Sequence, residues 1–157
     1  METKEMEQIY QRVATILNEM IPEPWIKIYL YAEVGEDGRQ VFFYYYPERK
    51  SEPVYNLEIT KYYGSDQQAF EELEDDLYDC FTELWNEFEQ QKQEKWTNLT
   101  FTLDHTGDIN IEYSYENLSE VDSYKQQIIW EYKNLGIIAD GPRPKEIIDK
   151  FLAKSKE

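Results

Sequence analysis

Between Phe70 and Gln90 the sequence places nine carboxylates, Glu71, Glu72, Glu74, Asp75, Asp76, Asp79, Glu83, Glu87 and Glu89, and no basic residue. Two carboxyls that face each other across a cleft with separated pKa values can run glycoside hydrolysis. With 33 acidic residues in the chain some pair always suits that chemistry, so the acids alone define no active site. His105 is the only histidine, which removes a histidine-cluster metal centre and a histidine base backed by others. It sits in Asp104-His105-Thr106-Gly107-Asp108, which reads as an exposed hairpin turn. The two aspartates could hold a cation, but the Asp-x-Asp-x-Asp-Gly spacing of a calcium loop is missing. Cys80 is the only cysteine, so there is no intrachain disulfide and no four-cysteine zinc site. Acidic neighbours would raise its thiol pKa, which suits a core cysteine and not a nucleophile. No serine elbow, Walker loop or dinucleotide fingerprint appears. The expectation is a protein without catalytic residues, metal or cofactor, and hence not an enzyme.

Charge narrows the partner. At a formal net charge of -17 the chain repels phosphate backbones and anionic membranes and speeds encounter with basic proteins. No direct nucleic-acid or membrane binding is expected. The same carboxylates also suit the solvated face of an ordinary helix. The sign reverses only at the end, where Arg143, Lys145, Lys150, Lys154 and Lys156 outweigh Glu146, Asp149 and Glu157.

The positioning elements follow from periodicity. Met6, Ile9, Tyr10, Val13, Ile16, Leu17 and Met20 recur at helical intervals, predicting a helix over about 3–20 that Pro22 and Pro24 end. Trp25 to Val34 and Gln40 to Tyr46, joined by Glu36-Asp37-Gly38-Arg39, predict a hairpin of two-sided strands. The run Phe42 to Tyr46 reads equally as a strand buried on both faces and as a set of aromatic anchors for a partner. Val54 to Ile59 alternates as a third strand. Gly64 closes that section, and Ser65 with Gln68 has capping-box spacing for a helix over 66–91.

A 100° projection of that helix gathers Phe70, Leu73, Leu77, Cys80, Phe81, Leu84, Trp85 and Phe88 into one apolar arc. Eight of the nine acids fall outside it; Glu74 lies at its rim. Trp96 to Leu103 and Asp108 to Tyr115 predict a second hairpin. Asp122 or Ser123 caps a helix over 122–135 that Gly136 stops in a left-handed conformation. Pro142 and Pro144 interrupt the chain, and Pro144 opens a short helix over 144–155.

The fold class is therefore α+β: a single domain with an antiparallel sheet of about five strands, two hairpins plus one strand, and helices on one side of it. Residues 1–138 form the domain, with 139–157 as an extension that belongs to it or trails as a tail. The outward side of the sheet is expected to be unusually aromatic. An acidic N-terminus without an apolar run, and no stretch near the roughly 18 residues of a spanning helix, predict an untargeted cytoplasmic protein.

Tyr29-Leu30-Tyr31-Ala32-Glu33-Val34, Val41-Phe42-Phe43-Tyr44, Trp96-Thr97-Asn98-Leu99-Thr100-Phe101-Thr102-Leu103 and Ile129-Trp130-Glu131-Tyr132-Lys133, followed by Leu135-Gly136-Ile137, occur in this order over most of the chain. In these blocks the sequence resembles the YezG/EsaG-like immunity-protein family of Gram-positive bacteria. The resemblance implies a cytoplasmic antitoxin that binds the toxic C-terminal domain of a secreted polymorphic toxin, often a DNase. Trp96, Asn98, Trp130, Glu131 and Tyr132 carry over as motif members only, with Trp96 and Trp130 expected to pack the sheet against the helix that follows. The candidate toxin-binding residues are the outward acids Glu72, Asp75, Asp76, Asp79, Glu83 and Glu87, and neutralising Glu72, Asp76, Asp79 and Glu83 is expected to cost little stability. The rival readings are an acidic adaptor or chaperone for a basic protein, and a carboxylate hydrolase. Homo-oligomerisation is left open by the sequence.

Overall fold

The computed structural model describes residues 2–63 and 66–156. In chain order it contains α1 (Lys4–Met20), β1 (Trp25–Gly35), β2 (Gly38–Pro47), β3 (Val54–Tyr55), a 3-10 turn (Asn56–Glu58), α2 (Thr60–Tyr63), α3 (Gln67–Gln90), β4 (Asn98–Asp104), β5 (Ile109–Ser114), α4 (Ser123–Leu135) and α5 (Pro142–Ser155). The chain forms two compact units, Met1–Glu116 and Asn117–Glu157. The α+β class and the five-stranded antiparallel sheet are as expected.

In the first unit the sheet runs β3-β2-β1-β4-β5, so β1 is central and pairs with both β2 and β4. The register aligns Leu30 with Phe43 and Phe101, and Phe101 with Ile111. These alternate residues share one face because strand side chains alternate. α1 and α3 cover that face, and Met6, Val13, Leu17, Leu77, Cys80, Phe81 and Leu84 join it in one core. The opposite face carries Tyr29, Tyr31, Phe42, Tyr44, Tyr46 and Tyr55. Tyr31 stacks on Phe42, and Tyr44 on Tyr55, each at 4.9 Å between ring centres. Tyr31, Phe42 and Tyr44 are buried, so the two-sided strand, and not exposed anchors, describes the middle of β2.

The third strand is shorter than the alternation of Val54 to Ile59 predicts. After Val54 and Tyr55 pair with Tyr45 and Tyr44, the next position is Asn56, whose side-chain Oδ1 accepts the Phe43 backbone N–H at 2.9 Å. The side chain takes the place of a ladder carbonyl, which frees the backbone to turn into the 3-10 segment. Asn56→Ala leaves that buried donor unsatisfied and is expected to cost about 1–3 kcal/mol in urea unfolding, with no change in far-UV CD.

Thr3 caps α1, accepting the Met6 N–H at 3.1 Å. The expected cap of α3 at Ser65, and Gly64 before it, lie outside the described residues. At its C-terminus α3 closes in a Schellman motif: Gln93 donates to the Phe88 carbonyl and Lys92, at φ 57°, donates to that of Glu89.

In the second unit Asp122 caps α4 and Gly136, at φ 67°, stops it, as expected. α5 begins at Pro142, two residues earlier than expected. Both prolines fit inside its first turn, where backbone N–H groups have no intrahelical partner. Ile128 of α4 packs on Ile147 and Ile148 of α5, with Ile129 and Tyr132 beside them.

Candidate functional site

The length of α3 and its single apolar stripe fix where its acids can point. Glu72, Asp75 and Asp76 are exposed, and among the described residues none has a cationic partner; Glu72 accepts only a long 3.4 Å bond from Gln68. Asp79 is exposed but committed, accepting at 3.0 Å from Arg39, which also donates to Thr82 at 2.8 Å and lies over the Tyr78 ring. Glu83 is gripped by both arms of Arg12, at 3.1 and 2.8 Å. Two of the six candidate acids are thus neutralised within the molecule.

Glu87 departs from the projection. Expected to face outward, it is 9% exposed, and its Oε1 accepts from Gln91 at 3.0 Å. It lies one turn beyond Glu83, the residue that Arg12 of α1 holds, so the buried stripe of α3 extends past the arc drawn for the sheet. Glu74 sits half-buried at the rim as expected. Burial, then Asp75 and Glu71, pushes its carboxyl above the ordinary glutamate range. Asp76, Asp79 and Glu83 line one groove between α3 and α1, opposite Arg12, Thr15 and Ile16.

Arg12 and Arg39 are the functional neighbours that the sequence did not point to. Arg39 follows a turn glycine and Arg12 follows Gln11 on α1, and neither position carries a local signal of a partner 40 or 71 residues away. The usable hint was scarcity, because a chain with 16 basic residues against 33 acids has few cations to spare for exposed faces.

The family-motif residues are structural in placement. Trp96 is 1% exposed; its carbonyl accepts the Trp85 indole N–H at 3.0 Å and its ring lies 6.1 Å from Tyr113. That bond ties it to α3, the helix before it, because Trp85 projects from the last turns of α3 toward the entry of β4. Asn98 is buried at the start of β4, donating to Thr97 Oγ1 at 3.1 Å. Trp130 and Glu131 are buried on α4, and Tyr132 is half-buried.

His105 is exposed in the β4–β5 turn. One oxygen of Asp104 accepts from the Thr106 N–H, the Thr106 hydroxyl and the Asp108 N–H, at 2.9, 2.6 and 3.1 Å. That oxygen is occupied in building the turn. No cluster of metal-ligating side chains occurs among the described residues. Cys80 is fully buried, and burial, outweighing the opposing pull of Arg12, pushes its thiol up. No described helix is long and apolar enough to cross a membrane.

The ion pairs give stability a pH dependence. Arg12 holds Glu83 below the ordinary glutamate range, and Arg49, helped by the Tyr45 hydroxyl, does the same for Glu23. A lowered folded pKa supplies stability above the unfolded value, near 4.3, that is lost as pH falls through the folded one. Glu74 has the opposite sign, so its contribution grows as pH falls from neutral through its raised pKa. Chemical unfolding from pH 7 to 3 is expected to give a level or slightly rising stability down to about pH 5 and a fall below about 4.3. Glu83→Gln flattens the low-pH limb and Glu74→Gln the upper one.

The motif tryptophans Trp96 and Trp130 are buried in the frame, and exposed carboxylates run along α3. The family described as "Immunity protein YezG-like" matches residues 6–149, and the chain belongs to that family. It is 36% identical over 154 residues to Immunity protein YezG of Bacillus spizizenii, covering 97% of this chain and 96% of that one. To Immunity protein YezG of Bacillus subtilis it is 38% identical over 149 residues, covering 94% and 99%. To the Type VII secretion system protein EsaG of Staphylococcus aureus it is 30% identical over 139 residues, covering 87% and 85%. The match takes in the first part of the segment beyond residue 138. The role is that of an immunity protein, an antitoxin for a cognate toxin.

Proposed function

We propose that this chain neutralises, in the cytoplasm and by stoichiometric binding, the basic nuclease-type toxic domain of a secreted protein, and that the outer face of α3 meets it. The observation that carries the reading is the row Glu72, Asp75 and Asp76, exposed and without cationic partners among the described residues, while nearby Asp79 and Glu83 already hold arginines. A nuclease must attract a polyanion, so its active-site surface is basic. A row of carboxylates is steered to such a surface and competes there with phosphate. No cofactor enters this mechanism. The type VII secretion name of the staphylococcal relative agrees with a toxin that leaves the cell that makes it.

The test is to mix the chain with each toxin domain encoded beside its gene. A one-to-one complex on size exclusion, loss of DNA cleavage in vitro and rescue of growth on co-expression are expected. No complex and no protection with any of them would sink the reading.

A further inference from the structure

The two edges of the sheet are treated differently. On one side β3 is two residues long and gives way to a turn, with the Asn56 side chain closing the ladder at Phe43. On the other side β5 pairs with β4 in unbroken register from Ile109 to Ser114 and, among the described residues, has no strand neighbour beyond it. Natural edges are blunted by proline, lysine, bulges or shortness. The run Ile109-Asn110-Ile111-Glu112-Tyr113-Ser114 has none of these devices.

Its free hydrogen-bonding groups can be assigned. Asp104 N–H donates to the Asp108 carbonyl at 3.1 Å, so that pair faces inward, and alternation along an antiparallel ladder makes Asn110, Glu112 and Ser114 the other residues bonded to β4. The N–H and C=O groups of Ile109, Ile111 and Tyr113 therefore point away from the sheet. Their side chains lie on the face covered by α1, where Ile109 and Ile111 floor a groove walled by Glu2, Lys4, Glu7 and Tyr10. An added strand would find main-chain partners along β5 and an apolar floor for every second side chain.

We infer that the β5 edge is a β-augmentation site for an extended segment of the toxin domain, with apolar residues at alternate positions and lysine or arginine at the flanks. Charge selects this occupant: on the groove wall Glu2 and Glu7 stand with Lys4 and with an Arg12 that Glu83 already holds, Glu112 and Glu116 are exposed along and after the strand, and the chain carries -17. A second copy of this chain would bring the same negative charge to the same edge. The inference rests on the toxin-binding reading and adds to it a second contact, made by the backbone and not by carboxylates.

The test compares amide exchange by NMR in the full chain, free and with the toxin domain. The Ile109, Ile111 and Tyr113 amides are expected to slow at least tenfold in the complex, while Asn110 and Glu112, already bonded to β4, change little. Ile111→Pro removes one outward N–H at a position where an edge strand tolerates proline, and is expected to weaken the complex at least tenfold. Ile109→Lys, which places a cation against a basic segment, is the second variant, and thermal melts confirm that both fold. A complex that forms with unchanged exchange at the three amides, and unchanged affinity in whichever variant folds, overturns the inference and leaves the toxin-binding reading intact. Failure of the unaltered chain to bind any adjacent toxin domain overturns both. A dimer of the free chain that Ile111→Pro makes monomeric assigns the edge to a second copy and overturns the inference as stated.

Discussion

Replacing Glu72, Asp75 and Asp76 together by Gln, Asn and Asn is expected to slow association with the toxin domain by about three- to tenfold at low salt and to flatten its salt dependence, with dissociation changed less. Steering raises association rates by about 10–10³ where potentials are complementary, and it fades as salt screens exposed charge. These residues isolate the effect because nothing in the described structure neutralises them. A set that included Asp79 and Glu83, as the sequence suggested, would also release Arg39 and Arg12. It would alter the anchoring of α3 to the β1–β2 hairpin and to α1 together with the charge. For the three-residue variant, stability should hold within about 0.5 kcal/mol. Stopped-flow association between about 20 and 300 mM salt, a range chosen to cross the screening length of about 10 Å, reads the result. An unchanged rate at low salt would remove this face from the interface.

Phe101→Ala is expected to lose about 3–5 kcal/mol of stability. Phe101 is fully buried at the centre of the sheet, aligned with Leu30 on one side and Ile111 on the other, and the Phe81 ring of α3 meets it edge-on at 6.5 Å. The cavity left behind would open where sheet and helix join, so neither layer can relax into it without moving the other. Against the roughly 5–15 kcal/mol of a typical domain, that loss takes a large part of the margin, and protection in cells should fall through lower abundance even though no contact with the partner has changed. Urea unfolding measures it directly, and a loss under about 1 kcal/mol, far below the range for such truncations, would contradict the packing described.

The helices and the sheet class were legible because their signals are local. The 3.6-residue stripe of α1, the arc of α3 and the alternation of β4 each survive without knowledge of the rest of the chain. The failures are at tertiary joins. Val54 to Ile59 alternates as a strand should, and only the approach of Phe43 shows that Asn56 ends the pairing with its side chain. Glu87 lies outside an arc drawn for one buried surface, whereas α3 has two, the sheet and α1. The partial neutralisation of the acidic face was invisible for the same reason, since Arg12 and Arg39 reach it across 71 and 40 residues of sequence. Trp96 shows the limit of a motif, which marks a residue as important without naming the element it touches.

The strand order also sets a timetable for the nascent chain. β1 and β2 are made together, yet the second neighbour of β1 is β4, and the whole of α3 is synthesised between them. At about 5–20 residues per second, the first hairpin leaves the ribosome several seconds before the strand that closes its inner edge. Throughout that interval Leu30, Phe43 and Tyr45 lack β4, and for its first part they lack α3 as well. An antitoxin must be folded before its toxin can act, so this delay gives the cell a reason to begin making the protector first.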